Sequence, residues 1–292
     1  MMIIAGWYRQ SLPYLYLCRL HRPTDLLLLL IPAIWASLLA SGGDLQWGPM
    51  LALLLAASLV RCAMWILADW QDSRLATDAS ESFIAQQLVS LRHAQHLFLL
   101  LWGLALLLLL PLGGKLLLLA SAAPLFALGL FWIRTRLYLT QLWLGLAIAW
   151  LVPMAWLAQG VWPNKGGWLL FTAVALWASA YTTLYALPRA PYEQRLGIRS
   201  LAQLFAEHSW LFFLLLQSAA IFSLWLAGQQ LALGLFYSLG LVVALLLLLW
   251  QFWLLLSTPG RGALRCYHHQ SWTGIAIGCG IAFDYLCKGS LG

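Results

Sequence analysis

Residues 230–256 read QLALGLFYSLGLVVALLLLLWQFWLLL and contain no charged side chain. A helix crosses the hydrocarbon core of a bilayer with about 20 consecutive apolar residues, so this segment predicts a transmembrane helix. The whole chain has the same character, because 63% of its 292 residues are hydrophobic and 9% are charged. Soluble domains average roughly 25% charged residues. The composition therefore argues against a water-soluble fold and predicts an all-α, polytopic membrane protein.

Similar apolar blocks recur along the chain and are separated by short segments rich in Pro, Gly or charged residues. They predict a bundle of about nine transmembrane helices. No tandem repeat is visible, so we expect one integral-membrane domain covering residues 1–292. The predicted helices cover residues 24–41, 50–70, 94–112, 115–134, 138–158, 167–187, 208–228, 230–256 and 271–287.

The basic residues predict the orientation of the bundle, because positively charged loops stay on the cytoplasmic side of the membrane. With the N-terminus in the cytoplasm, twelve arginines fall on that side and three lysines on the other. This asymmetry accounts for the net charge of +7, so we expect the lipid bilayer as a partner and no nucleic acid. We expect a multi-pass protein of a bacterial-type cell inner membrane. The arginines are Arg9, Arg19, Arg22, Arg74, Arg92, Arg134, Arg136, Arg189, Arg195, Arg199, Arg261 and Arg265; the lysines are Lys115, Lys165 and Lys288.

The end of the second predicted helix carries three charged side chains on one face. Residues 61–78 read RCAMWILADWQDSRLATD, and Arg61, Asp69 and Asp72 lie within about 80° of one another at 100° per residue. An Arg at the centre of a spanning helix costs about 2.5–3.5 kcal/mol, so Arg61 needs a partner or a cavity. One interpretation is that a neighbouring helix neutralises Arg61 and that the aspartates belong to a solvated helix end. The other is a phosphate site in which two carboxylates hold Mg²⁺ partly, leaving positions for substrate oxygens.

The same segment resembles the first aspartate motif of the UbiA family of intramembrane prenyltransferases. That motif reads Asn-Asp-x-x-Asp-x-x-x-Asp and follows an Arg that lies eight residues before the first Asp, which Arg61, Asp69 and Asp72 match. Four other segments resemble the 4-hydroxybenzoate branch of the family in the same order, so the resemblance is nearly full length. They are RLHRPTDLLLLLIPAIWA (19–36), QLWLGLAIAWLVPMA (141–155), YTTLYALPRAPYEQRLGIRSLAQLF (181–205) and SWTGIAIGCGIAFDYL (271–286).

The resemblance implies a membrane prenyltransferase that moves an isoprenoid chain from its diphosphate to an aromatic acceptor such as 4-hydroxybenzoate, as in ubiquinone-type biosynthesis. It implies Mg²⁺ as the cofactor, with Asp69 and Asp72 as metal ligands and catalytic residues. In such a site, the metal and cationic side chains stabilise the charge that develops on the leaving diphosphate, while water is excluded. The implied substrate-binding residues are Arg61, Arg134, Arg199, Tyr181, Tyr185 and Glu193.

The chain departs from the family pattern in both acidic motifs. Ala68 and Ala76 replace the Asn and the third Asp of the first motif. The family's second aspartate-rich motif corresponds to residues 181–205, and Glu193 is the one acidic residue that remains there. With Asp78 it is a candidate for a displaced carboxylate. These departures leave a second interpretation open, in which a catalytically impaired relative binds a prenyl lipid or a partner without turnover. The other places at which the family has Asp are occupied by Thr182, Arg189, Pro191 and Tyr192.

Overall fold

The computed structural model describes residues 12–75, 84, 86, 88–205, 208–258 and 261–289. Within these ranges every regular element is a helix, which confirms the all-α prediction. The candidate carboxylate Asp78 lies outside the described residues, so its place relative to the other acidic residues stays a prediction.

Nine long helical segments make up the described part of the chain. Eight of them are long and apolar enough to cross a membrane. The ninth is continuous from Arg261, well before its predicted start, but it is more polar and is not among those eight, so nine crossings stay a prediction. The segments are α1 (Pro23–Ala40), α2 (Trp47–Leu75), α3 (Leu91–Leu109), α4 (Gly114–Arg136), α5 (Thr140–Ala158), α6 (Lys165–Ala186), α7 (Ser209–Gln230), α8 (Leu235–Ser257) and α9 (Arg261–Gly289).

Prolines interrupt or modify several of these helices. A proline has no N–H to donate and its ring clashes with the carbonyl four residues earlier. Accordingly, Pro124 follows a break in α4 and Pro153 follows a break in α5. In α1, Pro32 leaves the Leu28 carbonyl without its usual helical donor, and the Tyr181 hydroxyl of α6 donates to that carbonyl at 3.3 Å. Tyr181 therefore joins α6 to α1 through the Leu28 carbonyl, which has no helical donor because of Pro32.

The helices pack around α6 and the second half of α5, which are the most buried spans. The α7 helix and the first half of α5 pack against α6, α8 packs against α9, and α2 packs against α3. Large apolar side chains cover the outside, and Leu107, Leu118 and Leu125 are each more than 60% exposed. Such a surface suits contact with lipid, because soluble proteins rarely expose large continuous apolar patches to water.

The basic residues separate between the two ends of the bundle. At one end Lys115 lies over the Trp162 ring and Lys288 donates to the Ala232 carbonyl. At the other end the arginines gather, where α1 begins and where α2, α4 and α6 end. The predicted asymmetry between arginines and lysines is thus present among the described residues, and Arg9 lies outside them. Which end faces the cytoplasm stays a prediction.

Arg61 of α2 finds its partner on a neighbouring helix, as the first of the two interpretations expects. Its Nη2 lies 3.6 Å from Asp25 Oδ2 of α1, and both side chains are more than 90% buried. The Tyr267 hydroxyl of α9 donates to the other carboxylate oxygen of Asp25 at 2.6 Å. Three helices therefore meet at one buried ion pair.

Removing the carboxylate from this pair should destabilise the fold. Asp25→Asn keeps the volume of the side chain but leaves Arg61 buried without a countercharge, which costs about 3 kcal/mol in comparable buried pairs. We expect a clear fall in the thermal unfolding midpoint of the purified protein in detergent. Asp44→Asn is the matched control, since Asp44 is exposed in the turn between α1 and α2. An equal effect of both substitutions would contradict a structural role for the buried pair.

Candidate active site

A cavity of about 430 Å³ opens among α2, α3, α4, α5 and α6. Along α2 its lining runs from Ala56 to Asp72, which corresponds to about 24 Å at 1.5 Å per residue. One end of the cavity is charged and the remainder is apolar. This shape fits an elongated ligand with one polar end.

The charged end is lined by four arginines and three carboxylates of the described residues. Asp72 at the end of α2 forms an ion pair with Arg134 at the end of α4, so the two helices are joined across the cavity. Glu193 lies in the helical turn Ala190–Arg195 that follows α6. Its Oε2 is buried and has no hydrogen-bond partner among the described residues. The full set is Arg19, Arg61, Arg134, Arg189, Asp25, Asp72 and Glu193.

In two of these arginines, a buried N–H group has no hydrogen-bond acceptor among the described residues. Arg61 donates from Nη1 to the Cys18 carbonyl at 3.4 Å, but its Nη2 makes no hydrogen bond. Arg134 uses one nitrogen on Asp72, while its Nε is buried without a partner. A buried donor without an acceptor costs roughly 1–3 kcal/mol, and more when it is charged. Both residues line the cavity, so their positive charges attract an anionic ligand there.

Three more guanidinium groups converge on the hydroxyl of Tyr185. Arg19 donates from Nη1 at 2.9 Å, Arg22 from Nη1 at 2.6 Å and Arg189 from Nη1 at 3.2 Å. The first two come from the turn before α1, whereas Tyr185 lies in the last turn of α6 and Arg189 in the 3-10 turn that follows it. We refer to Arg19, Arg22 and Arg189 as the arginine cluster.

The arginine cluster concentrates positive charge in a partly buried place. Arg19 lies flat over the Trp65 ring, with its central carbon 3.6 Å from the ring centroid. Burial lowers the pKa of the Arg19 guanidinium from its ordinary value, and the charges of Arg189 and Arg22 lower it further, although Tyr185 opposes them. Because an arginine stays protonated in proteins, the three positive charges stay close together and attract anions.

The apolar part of the cavity is shaped by tryptophans of α5 that bond to α4. Trp143 donates from its indole nitrogen to the Phe126 carbonyl at 2.7 Å, and Trp150 donates to the Leu119 carbonyl at 3.0 Å. The Phe126 ring lies 5.5 Å from each of these indoles, measured between centroids. The polar atoms of this wall are thus bonded to the backbone, and aromatic and aliphatic faces turn to the cavity.

The structure brings together six of the eight residues that the sequence nominated. Asp69 is not among the residues that line the cavity, and its Oδ2 accepts a hydrogen bond from the Ile84 amide at 3.1 Å. Arg199 is exposed and donates to the Arg136 carbonyl at 2.7 Å, so its side chain also lies outside the lining. The six that line the cavity are Arg61, Asp72, Arg134, Tyr181, Tyr185 and Glu193.

Sequence reasoning missed several charged and polar residues of this site. It treated Arg19 and Arg22 as topological anchors and gave Asp25 no catalytic role, although all three lie in the short segment RLHRPTD. Two arginines and an aspartate at the start of an apolar helix are a usable signal for a polar site. Tyr267 carries no comparable signal, since it reaches the cavity only through the packing of α9 against α1.

A divalent cation would need carboxylates at the charged end. In the parts of the chain that the structure describes, no three His, Cys, Asp or Glu side chains are grouped to hold a metal by themselves. Mg²⁺ commonly binds through one or two carboxylates together with water and substrate phosphate oxygens. Asp72 and Glu193 meet that smaller requirement, because both line the cavity and Glu193 has an unsatisfied buried oxygen.

Comparison with known proteins gives consistent matches over most of the chain. The sequence model of the UbiA prenyltransferase family matches residues 29–272. A 4-hydroxybenzoate octaprenyltransferase of Pseudomonas fluorescens (strain Pf0-1) is 31% identical over 281 residues, which cover 94% of each chain. The enzyme of that name from Stutzerimonas stutzeri (strain A1501) is 33% identical over 279 residues, again 94% of each chain.

Solved structures match the fold at lower identity. The apo structure of a UbiA homolog from Aeropyrum pernix K1 aligns with a TM-score of 0.74 at 18% identity, covering 88% of this chain and 97% of that one. A UbiA homolog from Archaeoglobus fulgidus, bound to GPP and Mg²⁺, aligns with a TM-score of 0.67 at 13% identity, covering 93% and 99%. The sequence match over residues 29–272 and the shared fold lead to one conclusion: this chain belongs to the UbiA prenyltransferase family.

Proposed function

We propose that the protein is a membrane prenyltransferase that transfers an isoprenoid chain from its diphosphate to an aromatic acceptor of the 4-hydroxybenzoate type. Family membership and the names of its relatives support this activity. The alternative of a relative that binds prenyl lipid without turnover is not favoured by these comparisons. Ubiquinone-type biosynthesis is the pathway that the named relatives indicate.

The observation that carries the proposal is the amphiphilic cavity. A prenyl diphosphate has an anionic head and a hydrocarbon tail, and the cavity offers arginines at one end and a long apolar remainder. Arg61 and Arg134 both line the cavity, and each has a buried donor without a hydrogen-bond partner among the described residues. Arginine binds phosphate oxygens through charge-assisted hydrogen bonds, often in pairs. The tail would then lie along α4 and α5, among Phe126, Trp143 and Trp150.

Each charged residue has a distinct role in this proposal. Arg134 and Arg61 bind and orient the diphosphate, and they stabilise the negative charge that grows on it as the bond to the isoprenoid carbon breaks. Asp72 and Glu193 would hold Mg²⁺, which when bound neutralises part of the same charge. Asp69 supports the end of α2 through the Ile84 amide, so its assignment as a metal ligand remains a sequence prediction.

The acceptor would enter at the charged end of the cavity, beside the diphosphate. Tyr185 and Tyr267 lie there with ring centroids 5.2 Å apart, and their faces can stabilise a positively charged allylic group. The surrounding helices keep bulk water from that group, which would otherwise be hydrolysed. We place this end of the bundle at the cytoplasmic face of an inner membrane, because the arginines gather there.

The activity is tested with purified protein, Mg²⁺, farnesyl diphosphate and 4-hydroxybenzoate. Asp72→Asn should lower kcat by at least about 100-fold, because it removes a metal ligand and releases Arg134. Glu193→Gln should raise the Mg²⁺ concentration needed for half-maximal rate by roughly 10-fold, since one negative ligand becomes neutral. Asp44→Asn serves as the unaffected control.

Two results would count against this assignment. Folded wild-type protein that shows no turnover, beside an active 4-hydroxybenzoate octaprenyltransferase as reference, would favour the lipid-binding alternative. An Asp72→Asn variant with the wild-type rate would show that the charged end described here is not where the chemistry occurs.

The position of the tail is tested by narrowing the cavity from α4. Ala127 lines the cavity and is 8% exposed, whereas its neighbour Leu128 points outward and is 62% exposed. Ala127→Phe should lower kcat/KM for farnesyl diphosphate by roughly 10-fold or more, because overpacking a filled space costs about 1–3 kcal/mol. Leu128→Phe should change it little. Equal kinetics for the two variants would mean that the tail does not follow α4.

A further inference from the structure

We propose that the hydroxyl oxygen of Tyr267 is a hydrogen-bond acceptor in the cavity, and that it selects aromatic acceptors whose ring carries a hydroxyl group able to donate to it. The inference deepens the proposed function and rests on it for the class of acceptor. It concerns a neutral oxygen of α9, apart from the arginines of the charged end and from the carboxylates to which the proposal assigns Mg²⁺.

The direction of the hydrogen bond between Tyr267 and Asp25 is the first support. Asp25 Oδ2 faces the Arg61 guanidinium at 3.6 Å, and its Oδ1 lies 2.6 Å from the Tyr267 hydroxyl oxygen. A carboxylate paired with a guanidinium is ionised, and an ionised carboxylate can only accept hydrogen bonds. Tyr267 is therefore the donor, and its one hydroxyl proton is committed to Asp25.

The remaining capacity of the Tyr267 oxygen is the second support. A phenol oxygen can accept hydrogen bonds while it donates one, and no donor to this oxygen occurs among the residues that the structure describes. Tyr267 and Asp25 both line the cavity. A hydrogen bond donated to a carboxylate polarises the phenol and makes its oxygen a better acceptor. A ligand hydroxyl supplies the donor that this oxygen lacks.

Two neighbouring tyrosines differ from Tyr267 in polarity. The Tyr185 hydroxyl accepts from three guanidinium groups of the arginine cluster, so its accepting capacity is used and its proton is left to donate. Tyr181 donates to the neutral Leu28 carbonyl at 3.3 Å, which is a longer bond than that of Tyr267 to Asp25. Of these three tyrosines, Tyr267 is the best placed to accept from a ligand.

The fixed position of Tyr267 is the third support. Its ring centroid lies 5.2 Å from that of Tyr185 and 5.4 Å from that of His268. Beyond Asp25, Arg61 donates to the Cys18 carbonyl at 3.4 Å, so the group that orients the Tyr267 hydroxyl is itself held. A site built to bond a hydroxyl rejects an analogue without one, because the buried polar atom of the protein is then left unpaired.

The binding of two benzoates of similar size tests this selection. The full chain in nonionic detergent, with Mg²⁺ and farnesyl thiodiphosphate present, is titrated by calorimetry with 4-hydroxybenzoate or with 4-fluorobenzoate. The fluorine keeps the shape of the ligand but cannot donate a hydrogen bond. We expect the wild type to bind the hydroxyl compound roughly 10- to 100-fold more tightly, and Tyr267→Phe to bring the two affinities within about 3-fold of each other.

Tyr237→Phe is the matched control for this substitution. Tyr237 is a buried tyrosine of α8 that donates to the Leu224 carbonyl at 2.7 Å, and it does not line the cavity. Its replacement removes a buried hydrogen bond of the same kind, so the preference for 4-hydroxybenzoate should stay at the wild-type value. A preference lost equally in both variants would overturn the inference.

A label on the ligand extends the test to the wild type alone, so that it does not depend on the folding of Tyr267→Phe. The carbon that bears the hydroxyl of 4-hydroxybenzoate is enriched in ¹³C and observed by NMR. Its resonance should move downfield on binding, because donation to Tyr267 gives the phenol partial phenolate character, and Tyr267→Phe should reverse that shift. The inference is overturned if the wild type prefers neither benzoate, if Tyr267→Phe keeps the preference, or if the resonance does not move.

A turnover assay keeps this inference apart from the proposed function. Wild-type protein that prenylates 4-hydroxybenzoate, yet binds the two benzoates equally, would remove the role of Tyr267 and leave the function standing. A preference for the hydroxyl compound that depends on Tyr267, in a protein without turnover, would support the inference and count against the function.

Discussion

A charged side chain inside a hydrocarbon layer needs a countercharge or a polar cavity, and the arrangement of this bundle depends on that requirement. Arg61 lies well inside α2, and its charge is met by Asp25 of α1, which Tyr267 of α9 also contacts. This buried pair fixes three helices relative to one another. Arg61 also lines the cavity, so the residue that ties the helices together contributes its positive charge to the charged end.

The same requirement explains why the polar end of the cavity is both stable and able to bind. Asp72 and Arg134 compensate each other across the cavity, while Glu193 and the arginine cluster are satisfied less completely. Buried charged groups without partners cost free energy, and an amphiphilic anion that binds in the cavity would reduce that cost. The apolar remainder, with its indole nitrogens bonded to the backbone, offers no competing polar sites to the hydrocarbon tail.

Much of this fold is predictable from local patterns in the sequence. Apolar length alone located the eight spans, because lipid permits few alternatives to a helix. Helical periodicity also anticipates part of the site: at 100° per residue Asp72 lies about 20° from Arg61 and Asp69 about 80°. In the structure Arg61 and Asp72 line the cavity, whereas Asp69 does not. A narrower limit on the angle from Arg61 would have predicted that Asp72, and not Asp69, shares its face of the helix.

The remaining features depend on contacts between distant parts of the chain. The pairing of Arg61 with Asp25 requires the relative rotation of α1 and α2, which neither helix encodes by itself. The approach of Arg19 and Arg22 to Tyr185 requires α1 to pack beside the end of α6. Tyr181 supports this packing, because its hydroxyl donates to the Leu28 carbonyl of α1. The role of Tyr181 was predicted as substrate-facing; its hydroxyl bonds to the backbone of α1, while its side chain also lines the cavity.

The central claim is that one cavity holds the anionic head and the hydrocarbon tail of a prenyl diphosphate in a fixed direction. The most direct measurement is an experimental structure of the protein with farnesyl thiodiphosphate, an analogue that resists cleavage. The account predicts the two phosphorus atoms beside the guanidiniums of Arg61 and Arg134, and the tail along Phe126, Trp143 and Trp150. A tail directed towards the arginines, or a ligand bound outside this cavity, would contradict it.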